Sequence, residues 1–199
     1  MTWKDIKLAA LQKMFSAEGS NIPADDSTRD YLAGMPYAAN ECLQMICTTK
    51  KYIVKSVDLD PEGGTVLGSF RKFNMNELVD DFFAFHGEVY YTHNERHERT
   101  NSYYSENDAI LVSKDMPGIF TVYYRSYPET ITIETQDDYE LAVPPDVQAL
   151  LPLYMASQLY KEDDNGIATT LRNEFEVAYD RLTQDNPAIT LECMDESGW

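Results

Sequence analysis

Residues 144–182, PPDVQALLPLYMASQLYKEDDNGIATTLRNEFEVAYDRL, read as two helices folded back on each other across an acidic turn. Pro144 and Pro145 set a helix start. Pro152 either begins a new helix or kinks the run, because proline lacks the N–H that an interior helical position donates. Leu153, Ala156, Leu159 and Tyr160 then share a face, and Lys161 ends the segment. Asp163 or Asp164 caps the second helix, in which Ile167, Leu171, Phe175, Ala178 and Leu182 recur at helical spacing. Arg172 and Glu176 stand four apart, a pairing worth about 0.2–0.5 kcal/mol on an exposed face.

Working outward, residues 3–17 place Trp3, Ile6, Ala10 and Met14 on one helical face, widened by Leu8, Leu11 and Phe15. Gly19, Ser20, Asn21 and Pro23 break the pattern. A second helix is expected from Pro36, suited to a first helical position, to Lys50, with Ala39, Leu43 and Ile46 on its apolar side. From Tyr52 to Val143 the period falls to two and β-branched and aromatic residues dominate. Strands are expected at Thr65–Phe73, Glu88–Thr92, Ala109–Val112, Ile119–Ser126 and Thr130–Glu134. The two flanking residues 114–118 read as a hairpin, and Gly63-Gly64 and Tyr127-Pro128 as turns. The expected fold class is α+β: N-terminal and C-terminal helices packed as a bundle, with an antiparallel sheet or small sandwich inserted. Residues 1–51 and 144–183 form the helical portion, 52–143 the β-rich portion and 184–199 a tail.

The 199 residues carry 34 acidic and 16 basic side chains, a formal net charge of −18, with 43% apolar residues. Such a chain folds, and it lacks the clustered Lys and Arg that non-specific phosphate binding requires. Negative charge also favours solubility whatever the function. No stretch reaches the roughly 18 apolar residues of a membrane span, and MTWKDIKLAALQKMF mixes charge with apolar residues, so no membrane association and a cytoplasmic site of synthesis are expected. Cys42, Cys47 and Cys193 fit no zinc spacing and read as reduced thiols.

Residues 141–182 resemble the head-to-tail connector, or adaptor, proteins of tailed bacteriophages. The resemblance lies in Pro144, an apolar helix bearing Tyr154, Ala156, Leu159 and Tyr160, the acidic turn Asp163-Asp164, and Arg172 with Phe175. Upstream, VYYRSYPETIT, FFAFHGEVYY and the helix containing Ala39, Asn40, Glu41, Cys42 and Leu43 are similar to elements of the same family, and the order helices, sheet, helices agrees. Pro152 and the polar loop from Thr92 to Glu106 depart from it. The resemblance implies a virion structural protein without catalysis, cofactor or metal. Its subunits would form a dodecameric ring on the portal protein at the neck, assembled in the host cytoplasm. The ring would bind a downstream neck or tail protein and let DNA pass without sequence-specific binding. An acidic lumen would repel the passing duplex, and residues 136–199 carry 14 acidic against 3 basic side chains. Partner contacts are expected at Thr92, His93, His97, Tyr103 and Tyr104, at Arg172 and Phe175, and at Trp199. The chain has 14 Tyr and 8 Met, residue types favoured at interface centres, and Tyr90, Tyr91, Tyr123, Tyr124 and Tyr127 are further candidates.

Two other function classes compete. An acidic protein can mimic nucleic acid and block a DNA-binding enzyme, acting as a monomer or dimer whose effect fades with salt. Alternatively, His93 and His97, four apart, resemble the spacing of a zinc hydrolase helix, but Glu95 sits one place later than that motif demands and the surrounding HNERHERTN is polar. Phosphate-binding loops and nucleophile elbows are missing from the sequence, and the paired aspartates at 80–81, 137–138 and 163–164 read as turn and cap residues. Another neck or tail-completion subunit is the nearest alternative within the family.

Overall fold

Chain ends and middle segregate as their periodicities require, the ends into helices and the middle into sheets. The computed structural model describes residues 1–15, 22, 26–60 and 62–183. Four long helices, α1 (Trp3–Phe15), α2 (Asp26–Thr49), α4 (Pro145–Leu159) and α5 (Asn165–Arg181), form the helical body. Between α2 and α4 lie eight strands and the short helix α3 (Met75–Leu78). The strands are β1 (Ile53–Leu59), β2 (Thr65–Leu67), β3 (Phe70–Asn74), β4 (Phe82–His93), β5 (Arg96–Thr100), β6 (Tyr103–Glu106), β7 (Ala109–Ser113) and β8 (Ile119–Ser126). They build two antiparallel sheets, ordered β1-β8-β4-β5 and β2-β3-β7-β6. Leu59, Val89, Phe120, Val122 and Tyr124 from the first pack against Phe73, Ile110 and Val112 from the second, closing a small sandwich. The fold is α+β.

Helix α4 is the hub of the body, since α1, α2 and α5 each pack on it. Phe15, Tyr31 and Tyr160 meet at one end of the body. At the other, Lys51 pairs with Asp146 at 3.4 Å and Thr49 shares a 2.8 Å hydrogen bond with the Tyr179 hydroxyl. The helices therefore alternate in direction along the chain. Gly34 lets α2 approach α4 closely, because a Cβ there would fall 2.7 Å from the Leu159 side chain. Asp164 caps α5 by accepting from the Ile167 N–H at 3.0 Å, and α1 opens with a reciprocal pair in which Thr2 and Asp5 each bond the other's backbone N–H.

Several expectations are corrected. Pro36 does not begin α2 but lies inside it, and Pro152 begins no new helix but lies within α4; tertiary burial of both helices outweighs the hydrogen bond each proline removes. Helix α4 has no single apolar face: Val147, Leu150, Leu151, Tyr154, Met155 and Ala156 are all buried, whereas Leu153 and Leu159 are only partly so. Strand 65–73 is two strands turning at Gly68, whose φ of +62° suits the first central position of a two-residue hairpin. Strands β7 and β8 are not a hairpin, because they belong to different sheets and residues 114–118 carry the chain between them. Gly118 is required at that crossing, where a Cβ would lie 2.6 Å from the Tyr91 ring.

Residues 130–134 form no strand. Segment 127–143 instead runs as a strap over the body, and its Ile131 and Leu141 belong to the helical core. Asn40 of α2 holds the strap from both sides: its Nδ2 donates to the Ile131 carbonyl at 2.7 Å and its Oδ1 accepts from the Ile131 N–H at 2.8 Å. The returning half is tied to α1, with the Trp3 N–H donating to the Tyr139 carbonyl at 2.8 Å and Lys7 pairing with Asp137 at 2.5 Å. Gln148 closes it by donating to the carbonyls of Leu141 and Val143.

Tyrosine hydroxyls repeatedly donate to carboxylates: Tyr31 to Asp163 at 2.5 Å, Tyr124 to Asp81 at 3.0 Å and Tyr139 to Glu129 at 2.6 Å. Burial and the bond to Asp81 push Tyr124 up to about 12, and burial with Glu129 does the same to Tyr139. At Asp81, partial burial opposes ionisation, but the hydrogen bonds from Lys55 and Tyr124 outweigh it and hold the carboxyl below its usual range.

Asn40→Ala strands a backbone donor and acceptor and is expected to cost about 1–3 kcal/mol in urea denaturation; an unchanged midpoint would show that the strap holds without it. Because Tyr124 and Tyr139 are raised in the folded state, their contribution is complete below pH ~10 and lost as pH rises towards about 12. The double variant Tyr124→Phe/Tyr139→Phe should flatten that alkaline loss in denaturation curves taken against pH, and parallel limbs would contradict the assignment.

Candidate functional site

The expected polar loop from Thr92 to Glu106 is mostly strand. Asn94 and Glu95, at φ +49° and +66°, form the two-residue turn joining β4 to β5, a conformation that Asn tolerates and Glu rarely adopts. Chain alternation then separates the two histidines. His93 follows the buried Tyr91 on the inward side and stacks on its ring with centroids 6.1 Å apart, whereas His97 stacks on Tyr90 at 5.0 Å and shares a 2.7 Å hydrogen bond with Thr92 Oγ1. The imidazoles therefore occupy opposite faces of the sheet, incompatible with two ligands on one helical face. Among the described residues no cluster of three or more His, Cys, Asp or Glu side chains could hold a metal ion.

The remaining predicted contact residues also separate. Tyr103 and Tyr104 lie on β6, in the other sheet from Thr92 and His97. Tyr103 is half-buried against the sandwich core, while Tyr104 is 64% exposed and meets Phe70 edge-on at 5.3 Å. Tyr91 and Tyr124 are buried and Tyr127 is exposed. Phe175 is fully buried against Tyr154, ring centroids 5.0 Å apart, so it packs the core and cannot meet a partner. Arg172 lies over both rings, 4.9 Å from the Tyr154 centroid and 5.3 Å from that of Phe175, and is anchored by Glu176 at 2.6 Å. The Tyr154 hydroxyl, raised chiefly by burial, is shared between Arg172 and Glu41. Trp199 and Cys193 lie outside the described residues.

Cys42 and Cys47 are buried on α2, and burial raises both thiols, Cys47 to about 11, so neither is a nucleophile near neutral pH. A shallow groove of about 260 Å³ opens where the strap leaves the sandwich, lined by Asn40, Gln44, Tyr127, Pro128, Glu129 and Thr130. Its size falls short of the ~300–1,000 Å³ typical of small-molecule sites.

The most prominent surface features were not singled out from the sequence. Tyr37 on α2 is 78% exposed and Ile133 on the strap 75% exposed, while Leu67 at the β2–β3 hairpin is 55% exposed. Tyr37 sits in an amphipathic helix whose periodicity gives no reason to isolate it, and Ile133 falls in the stretch 130–134 that reads as a strand. No helix among the described residues is long and apolar enough to cross a membrane. No protein-family model matches the sequence, and a search of curated proteins finds no match.

Phe175→Ala is expected to cost about 3–5 kcal/mol through the cavity it leaves, against about 1 kcal/mol for Arg172→Ala, which removes a half-exposed cation over two rings. Chemical denaturation of both variants checks this; a Phe175 variant of undiminished stability would return that residue to the surface.

Proposed function

We propose that the chain is a non-catalytic head-to-tail connector subunit, docking as a ring on a portal protein, binding a downstream neck or tail protein and forming part of a DNA channel. The observation that carries this reading is the two-tier build: a helical body made from both chain ends, with a β-sandwich inserted and strapped to it by residues 127–143. That succession is what the resemblance around residues 141–182 implies. A tiered subunit presents separate surfaces to a partner above, a partner below and neighbours on either side, and a stable contact of this kind buries on the order of 1,600 Å². Exposed apolar side chains stand on both tiers, Tyr37 and Ile133 on the body and Leu67 and Tyr104 on the sandwich. The net charge of −18 suits a channel wall that must not grip phosphate.

The same charge also supports a second reading, a nucleic-acid mimic. One experiment separates the two. The purified full chain is mixed with a purified portal ring of a tailed bacteriophage, then followed by size exclusion and negative-stain imaging. Co-migration as a symmetric ring stack is the expected outcome. A chain that ignores the portal yet inhibits a DNA-binding enzyme in a salt-sensitive manner would establish the mimic instead.

A further inference from the structure

We propose that residues 188–193, AITLEC, add as an edge strand to β1 of their own chain. The inference is independent of the connector reading and concerns how the β1-β8-β4-β5 sheet is closed.

The edge itself is open. Strand β1 pairs with β8 along its whole length, and among the described residues no backbone hydrogen bond from another segment reaches Ile53–Leu59 on the other side. At every second residue of this strand the N–H and C=O therefore point away from the sheet. Exposed edges are commonly blunted by charge, as β5 is with Arg96, Glu98 and Arg99. The charges of β1 are engaged instead, Lys55 by Asp81 at 2.7 Å and Asp58 by Thr121 at 2.7 Å. Val54 is 44% exposed, and Val57 is only partly buried against the sandwich core. Facing β1, β2 is the edge of the second sheet and follows after residues 60–64, so the two edges bound one margin of the sandwich. Val66 of β2 lies in register with Arg71 and through it with the buried Val112, which places it on the inward face, yet it is 56% exposed. The interior is thus incompletely covered along this margin.

The chain supplies an occupant at the right place. Near the end of α5, Tyr179 bonds Thr49 at 2.8 Å and lies under Lys50, and Ile53 opens β1 only four residues after Thr49. Helix α5 ends at Arg181, so residues 184–199, which lie outside the described residues, depart beside the start of β1. Residues 183–187 reach about 17 Å when extended, enough to bring Ala188 alongside Ile53, and Pro187 disposes Asn186 to extended backbone. Beyond it Ile189, Leu191 and Cys193 alternate with Ala188, Thr190 and Glu192, the period of a half-buried strand. Leaving from the first residue of β1, the segment runs parallel to it and turns Ile189 and Leu191 inward, beside Val57 and towards Val66. Pairing ends at Cys193, because Asp195 and Glu196 would meet Asp60 and Glu62 at the far end of β1. The other edges fit less well, since β5 is charged and β2 and β6 have three and four residues. A strand from a second copy must also compete with a tethered one, whose effective concentration is on the order of millimolar.

The test is hydrogen exchange followed by NMR on full-length chains, comparing the wild type with Ile189→Asp/Leu191→Asp and with Thr190→Pro, which keeps the apolar side chains and removes one N–H. In the wild type the β1 amides that point away from β8 are expected to be protected like those that bond it. In both variants they should exchange about tenfold faster or more, while amides in β4 and β7 keep their rates and report an intact sandwich. Sedimentation velocity on the same samples is expected to show a monomer. Outward β1 amides that exchange freely in the wild type, or that stay equally protected in both variants, would overturn the inference. Protection that appears only as the chain dimerises with rising concentration would assign the edge to a second copy and overturn it as well.

Discussion

Everything in this molecule depends on the burial of α4. Its residues are apolar around most of the circumference, and even Gln148 and Ser157 are buried, so apart from Pro145, Asp146 and Ala149 in its first turns the helix gives little to water and must be wrapped. The wrapping is supplied by α1 and α2 from one end of the chain and α5 from the other. A helix coated by both ends of its own chain forces the middle of the chain to leave and return, and the sandwich is that excursion. The interior prolines are tolerated for the same reason, because packing on every side holds the helix where backbone hydrogen bonding falters.

The excess of acid shapes the interior polar chemistry. With 34 carboxylates and 16 cations, most acids cannot find an ion-pair partner, and another donor can take that place. Tyrosine provides it at the exposed Asp163 and Glu129 and adds to the Lys55 pair at Asp81, contributing an apolar ring to packing and a hydroxyl to the carboxylate. The same use accounts for Tyr154, shared between Glu41 and Arg172 beneath the crossing of α4 and α5. The tyrosine abundance that suggests an interface is thus partly structural, and the tyrosines left for partners are those, such as Tyr37 and Tyr104, without a carboxylate beneath them.

The sequence made the helical ends legible because their apolar residues recur over several turns, and the strict alternation of β8, with Phe120, Val122 and Tyr124 inward, was equally plain. Edge strands were harder. Strand β5, Arg-His-Glu-Arg-Thr, is charged as an exposed edge should be, and its turn uses Asn94-Glu95 without glycine, so it resembled a loop. Which strands share a sheet was not legible at all: β7 and β8 are separated by a loop of hairpin length, yet they face each other across the core, a pairing decided by long-range packing. Of the contact residues expected from the sequence, Phe175 belongs to the core because an apolar residue at helical spacing carries no mark of which neighbour will cover it. The strap is held against α2 by Asn40, whose bond to Ile131 joins residues 91 apart in sequence.

Charge and assembly finally constrain each other. A ring of subunits at −18 apiece concentrates negative charge, and the repulsion grows as the copies approach. Cations used inside a subunit, such as Lys7 with Asp137, Lys55 with Asp81 and Arg172 with Glu176, strengthen the fold but do nothing to relieve repulsion between copies. Only cations left at the surface can do that. Under the connector reading, a contact that draws neighbours together by their surface cations would also leave the rest of the wall more uniformly acidic towards a passing polyanion.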